Sequence, residues 1–193
     1  LRYTDMSDID VPPHHALGTV GARTSTPCHG AGFFRGTPVD GRGMPVVAAQ
    51  LARLAARVVR WKRRRAGGAA GAHHRAMYAS QDPKAIVLES ADKRVLGLPL
   101  ARAWAPAALD ASAAEAIRQA RVGAIDTSPL VPSVLPVQVL RLGDVALVCA
   151  PGEFTTVAGA RLLAATRDAA PADGPSRFLL VTYSNDYMGY VTT

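Results

Sequence analysis

Glu153 and Tyr190 are the two residues whose types and placement first suggest a site. Each follows an apolar run that reads as a strand. Val145–Ala150 is broken by Pro151-Gly152-Glu153-Phe154, and Arg177–Tyr183 opens through Ser184-Asn185-Asp186 into a loop that carries Tyr187 and Tyr190. Between them, Thr156–Thr166 has helical character, with Thr155 or Thr156 as its cap. Strand, helix, strand of this length is a βαβ unit, in which both strands point the same way. A carboxylate and phenols that follow the carboxyl ends of two such strands meet on one edge, where open α/β sheets place their sites. The pattern brings a carboxylate and a phenol together without naming their chemistry. On the same pattern, Glu153 as a solvated loop carboxylate and Tyr190 as a packed aromatic stay open.

The elements that must position these residues are read from period and punctuation. Leu135–Leu142 and Val145–Ala150 are strands joined by Gly143-Asp144, a hairpin signal. Upstream, Lys84–Glu89 is a short apolar strand, and Ala111–Arg121 is a helix with Ser112 and Glu115 at capping-box spacing. Arg2–Asp10 reads as extended, His14–Pro45 as a long loop, and the Ala/Gly-rich sequence to Ala72 as a flexible connection. Val46–Arg65 is the strongest helix. Val47, Leu51, Leu54, Val58 and Trp61 draw an apolar stripe that should face inward. Arg53, Arg57, Arg60 and Arg64 draw a second, solvated stripe, and Gly67-Gly68 ends the helix. The fold class is α/β, a mixed sheet with flanking helices and a C-terminal βαβ unit. Its parts are an extended and loop region (1–45), a basic amphipathic helix (46–65), a strand plus helix (84–128), and a hairpin with the βαβ site unit (131–193).

With 49% apolar and 19% charged residues among 193, the composition is that of an ordinary folded chain with a proper core. The apolar region from Val131 to Ala150 is interrupted by Arg141 and Asp144 and is too broken to span a membrane. Cys28 and Cys149 are too few for a disulfide scaffold or a cysteine zinc site, and a single disulfide between them stays open. The net charge of +7 comes mostly from Arg53 to Arg65, so it is a local feature. Without zinc-finger spacing, stacking aromatics or a Gly-Lys-Ser/Thr loop, no nucleic-acid partner is expected. The basic helix suits either a plain solvated face or attraction to an anionic membrane surface through Arg53, Arg57, Arg60 and Arg64.

The segment Pro151-Gly152-Glu153-Phe154-Thr155-Thr156 followed by Asn185-Asp186-Tyr187-Met188-Gly189-Tyr190-Val191-Thr192-Thr193 resembles the neutral ceramidases. That family has a Pro-Gly-Glu-Phe-Thr-Thr block before an Asn-x-Tyr-x-x-Tyr-(Val/Ile)-Thr-Thr block at nearly this distance. Tyr3–Ser7, Phe33–Thr37 with Asp40-Gly41, Pro83–Ile86 and Leu135–Gln138 resemble further, weaker blocks. The resemblance implies a zinc enzyme that hydrolyses the N-acyl amide of ceramide to sphingosine and a fatty acid, secreted or membrane-associated. It makes Glu153 and Tyr190 the metal ligands held by this chain. The family's histidine ligands and serine nucleophile lie in segments upstream of Leu1. The expectation is therefore the C-terminal half of a catalytic domain, with no complete catalytic set of its own and no turnover by the 193 residues alone. His14, His15, His29, His73 and His74 lie in loop-like sequence and match no ligand motif. The rival expectation is a non-catalytic, truncated or basic domain that binds acidic partners, an anionic membrane or nucleic acid, through Arg53 to Arg65.

Overall fold

The computed structural model describes residues 2–13, 20–36, 43–104, 111–126 and 129–191. Its strands are β1 (Arg2–Asp5), β2 (Cys28–Gly30), β3 (Ile86–Glu89), β4 (Arg94–Val95), β5 (Leu98–Pro99), β6 (Val134–Leu142), β7 (Val145–Cys149), β8 (Glu153–Phe154), β9 (Arg177–Val181) and β10 (Tyr190–Val191). The helices are α1 (Ala31–Arg35), α2 (Val46–Arg64), α3 (Gly68–Ser80), α4 (Ala111–Arg121) and α5 (Thr156–Asp168). The mixed α/β class is as expected. The chain forms two compact units, one of Leu1–Met6 with Val131–Thr193 and one of Ser7–Leu130.

The first unit holds a four-stranded sheet in the order β1-β6-β7-β9. β6 and β7 are the expected hairpin, antiparallel from Gln138↔Cys149 to Leu142↔Val145, with Gly143 at φ +60 in the turn. A left-handed residue there matches the twist of the flanking strands, which is why glycine suits the position. The Asp144 carboxylate accepts hydrogen bonds from Ser176 N at 2.9 Å and Ser176 Oγ at 2.5 Å. These bonds hold its carboxyl below the usual range and tie the turn to the start of β9. β7 and β9 are parallel from Val145↔Arg177 to Cys149↔Val181, so the βαβ unit is present. Thr155 caps α5, its hydroxyl accepting from Ala158 N at 3.4 Å. Leu162 and Leu163 of α5 pack on Ala146, Val148 and Phe178 of the sheet. The other face of the sheet, with Leu140, Leu142 and Leu179, is apolar and exposed.

In the second unit β2, β3, β4 and β5 form an antiparallel sheet. Cys28, Met77, Tyr78 and Ile86 make one core cluster, and Leu100, Ala103 and Ile117 another. Several expectations are corrected here. β2 and α1 lie within the stretch expected to be a long loop, because Cys28–Gly30 pairs with β3, a tertiary contact without local periodicity. The expected Ala/Gly connection contains the start of α3, which packs on α2. β4 and β5 form a tight hairpin at Leu96-Gly97, both at positive φ. The Ser112 side chain of the expected capping box lies outside the described residues, as do His14, His15, Asp40 and Gly41.

The largest correction concerns α2. Its extent is as expected, but Val47, Leu51, Leu54, Val58 and Trp61 are 53–72% exposed. Inward stand Ala49 and Ala56, both buried, as α2 packs on α1, α3 and β3. Arg63 ion-pairs with the buried Glu89, which also accepts from Tyr78 Oη at 2.9 Å, and Arg60 Nη1 meets Asp82 Oδ1 at 2.5 Å. A buried carboxylate needs a cation and hydrogen bonds, and small alanines let the backbones approach. Together they turn the arginine–alanine side inward. The expected solvated stripe is therefore divided: Arg57 and Arg64 are exposed, whereas Arg53 and Arg60 are half-buried. Cys28 and Cys149 are both buried and free, one in each unit.

A glutamate and tyrosine cluster at the sheet edge

Beyond β7 the chain is stitched residue by residue to the segment beyond β9. Ala150 N donates to Val181 O at 3.0 Å, Ser184 N to Ala150 O at 3.1 Å, and Met188 N to Pro151 O at 2.7 Å. Glu153 N then donates to Gly189 O at 2.9 Å and Thr155 N to Val191 O at 3.1 Å. The result is a short parallel pair in which Tyr190 is the register partner of Glu153 and Val191 that of Phe154. Directly paired residues on adjacent strands project from the same side of the pleat. The two residues expected to share a site are thus brought together by the backbone.

Pro-Gly before Glu153 has a local reason. A Cβ on Gly152 would lie 2.9 Å from Gly189 O and 3.1 Å from Met188 Cγ. Only glycine lets the two segments close to hydrogen-bonding distance.

Two further tyrosines complete the cluster. Tyr187 Oη donates a short hydrogen bond to Glu153 Oε1. That bond, then partial burial and the Glu153 charge, push the Tyr187 phenol up to about 12. The Tyr183 phenol is raised as well, first by its hydrogen bond to Glu153. Its ring stacks on that of Tyr187 with centroids 5.9 Å apart and planes 5° from parallel. Both phenols therefore stay protonated through neutral pH and act as donors that orient the carboxylate. Tyr183 sits at φ +58, a left-handed conformation that costs a residue with a Cβ about 1–2 kcal/mol. Sequence reasoning placed Tyr187 at this edge without a role and missed Tyr183. The Tyr-Ser-Asn-Asp run was legible as a turn, but not which ring would turn back on the carboxylate.

The described histidines, His29, His73 and His74, belong to the second unit. Of those described, none is in a loop as expected: His29 is on β2, and His73 and His74 are on α3. His29 Nδ1 is 2.8 Å from Ser90 Oγ, and burial then the charge of Lys84 lower its pKa. His74, Glu89 and Asp92 bring ligand-type atoms within 4.8 Å of one another. Glu89 there is already bonded by Arg63 and Tyr78.

Residues 114–193 match the family described as neutral/alkaline non-lysosomal ceramidase, N-terminal. The neutral ceramidase of Pseudomonas aeruginosa is 43% identical over 65 residues, covering 34% of this chain and 10% of that protein. Neutral ceramidase B of Dictyostelium discoideum is 38% identical over 73 residues, 37% of this chain and 10% of its own length. The rice neutral ceramidase is 41% identical over 68 residues, 32% of this chain and 8% of its own. Residues 114–193 are thus similar to the neutral ceramidases, as the motifs within them led us to expect, and the chain spans about a tenth of the length of the curated relatives it matches.

Proposed function

We propose that this chain forms part of the catalytic domain of a zinc-dependent ceramidase, and that Glu153 and Tyr190 are two of its metal ligands. The observation that carries this reading is the register pairing of Tyr190 with Glu153 inside the family-matched segment. The donor set fits: a carboxylate is an ordinary zinc ligand, and a phenol oxygen serves because a bound cation favours its ionised form. Catalytic zinc takes about three protein ligands, so the rest of the set would come from elsewhere in the parent protein. Zinc, when bound, supplies a Lewis acid that polarises the amide carbonyl and lowers the pKa of water. The chain's own part is to orient. Tyr187 and Tyr183 fix the Glu153 carboxylate by donating to it, and Gly152 and Gly189 hold the two segments close. The substrate class is the N-acyl amide of ceramide or a similar lipid. Such a substrate is presented at a lipid surface, and the arginines of α2 suit anionic lipid there. Arg57 and Arg64 carry that contact, since Arg60 is engaged by Asp82 and Arg53 is half-buried.

The test uses the parent protein with its upstream segments. Glu153→Gln or Tyr190→Phe should lower bound zinc and cut turnover of a fluorescent ceramide by at least about 100-fold, with circular dichroism unchanged. The 193 residues alone should show no turnover. Full zinc content and activity in both variants would overturn the ligand assignment, and zinc-dependent turnover by the isolated chain would overturn the division of the site.

A further inference from the structure

We propose that α2 is a membrane-surface helix whose outward stripe of Val47, Leu51, Leu54, Val58 and Trp61 inserts into the headgroup layer of an anionic bilayer. This sharpens the lipid contact suggested for the arginines and is independent of the amide chemistry, because binding is read without turnover.

The stripe repeats at spacings of four, three, four and three, so its five large side chains stay on one side for the length of the helix. All five are more than half exposed. An apolar face of this size rimmed by charge marks an interaction surface. The rim is cationic on both sides. Arg57 and Arg64 lie roughly 60–100° to one side of the stripe and Lys62 about 60° to the other by the 3.6-residue period, and all three are exposed. At the far end, the Arg65 guanidinium lies over the Trp61 ring, 4.1 Å from its centroid. No Asp or Glu occurs from Val46 to Arg65. An apolar face with an aromatic end, flanked by Lys and Arg, is what an interfacial helix presents to anionic lipid. The rotation is fixed from within, since the Arg63–Glu89 and Arg60–Asp82 pairs and buried Ala49 and Ala56 hold the opposite side against the unit.

Charge selects the occupant. A second copy docked stripe to stripe would bring two acid-free helices together, each setting its cationic rim near the other's with no carboxylate between them, and like charges so placed disfavour association. A bilayer containing phosphatidylserine offers an apolar layer for the stripe and anionic groups for the rim.

Vesicles of phosphatidylcholine with phosphatidylserine, and of phosphatidylcholine alone, test this by co-sedimentation and Trp61 fluorescence in a Trp104→Phe background, which removes the other tryptophan. The chain should bind the anionic vesicles and Trp61 emission should shift to the blue. Leu51→Ser with Leu54→Ser should weaken binding on the order of 100-fold, and Arg57→Gln with Arg64→Gln about 25-fold. These side chains are exposed, and circular dichroism checks that the variants fold. Binding indifferent to the leucine pair, or Trp61 emission unmoved on binding, would overturn the insertion. So would a lipid-free dimer that the leucine pair abolishes, since the stripe's occupant would then be a second copy.

Discussion

α5 and α2 are both helices with one apolar side, yet they use it in opposite ways. α5 lays Leu162 and Leu163 on Ala146, Val148 and Phe178, whereas α2 turns Leu51, Leu54 and Val58 to solvent and buries alanines and an ion-paired arginine. The difference lies in what each helix must satisfy. α5 is the crossover of a βαβ unit, and linking two parallel strands leaves one face of the sheet for it to cover. Its close approach to the sheet uses Gly159, where a Cβ would lie 3.0 Å from Leu180 Cδ2. α2 has no such topological instruction. Its orientation follows Glu89, a carboxylate only 3% exposed, which would be strongly disfavoured without Arg63 beside it. Hydrophobic periodicity locates an apolar stripe. The groups that demand partners decide which way it faces.

Glu89 should give the largest effect. Glu89→Gln leaves the Arg63 guanidinium, whose side chain is 17% exposed and whose Nε already has no hydrogen-bond partner, without its counter-charge. Loss of one member of such a pair should cost about 3–5 kcal/mol, read from chemical denaturation of the second unit. A shift below about 0.5 kcal/mol would mean that the ion pair does not set the orientation of α2, and the alanine side alone would have to explain it.

In α5 the corresponding change is Leu163→Ala. Leu163 is partly buried against the sheet, so its truncation should cost about 1–3 kcal/mol, the lower part of the range for core leucines. A near-zero cost would show α5 resting loosely on β7 and β9.

The two helices also mark where the sequence was legible. The hairpin at Gly143-Asp144, the βαβ unit and the Thr155 cap each rest on local chemistry, and all are present. The nearness of Glu153 and Tyr190 was legible because parallel strands bring their carboxyl ends to one edge whatever the side chains. The register partnership itself depends on the close pass at Gly152, which the Pro-Gly dipeptide signals only as a break. In the second unit β2 exists by pairing with the distant β3, a non-local signal, whereas β4 and β5 are two-residue strands too short to show alternation around Leu96-Gly97. α3 is built largely of alanine, glycine and histidine, so it shows little periodicity and gains its stability from packing on α2. Tyr183 in a left-handed conformation ran against its own propensity, as residues at sites sometimes do.

The smallest effect is the most discriminating. Leu54→Ala removes a leucine from the middle of the α2 stripe, the change made at Leu163 in α5. At 55% exposure Leu54 has little buried surface to lose. Alanine also has the higher helix propensity, by a few tenths of a kcal/mol. The two terms oppose each other, and the net change in stability should stay within about 0.5 kcal/mol. Lipid binding should nevertheless fall about 10-fold, because the leucine contributes only where a bilayer removes it from water. A stability loss of about 2 kcal/mol or more at Leu54 would show the stripe already covered in the free chain. α2 would then be an ordinary core helix like α5, and the surface assigned to lipid would not exist.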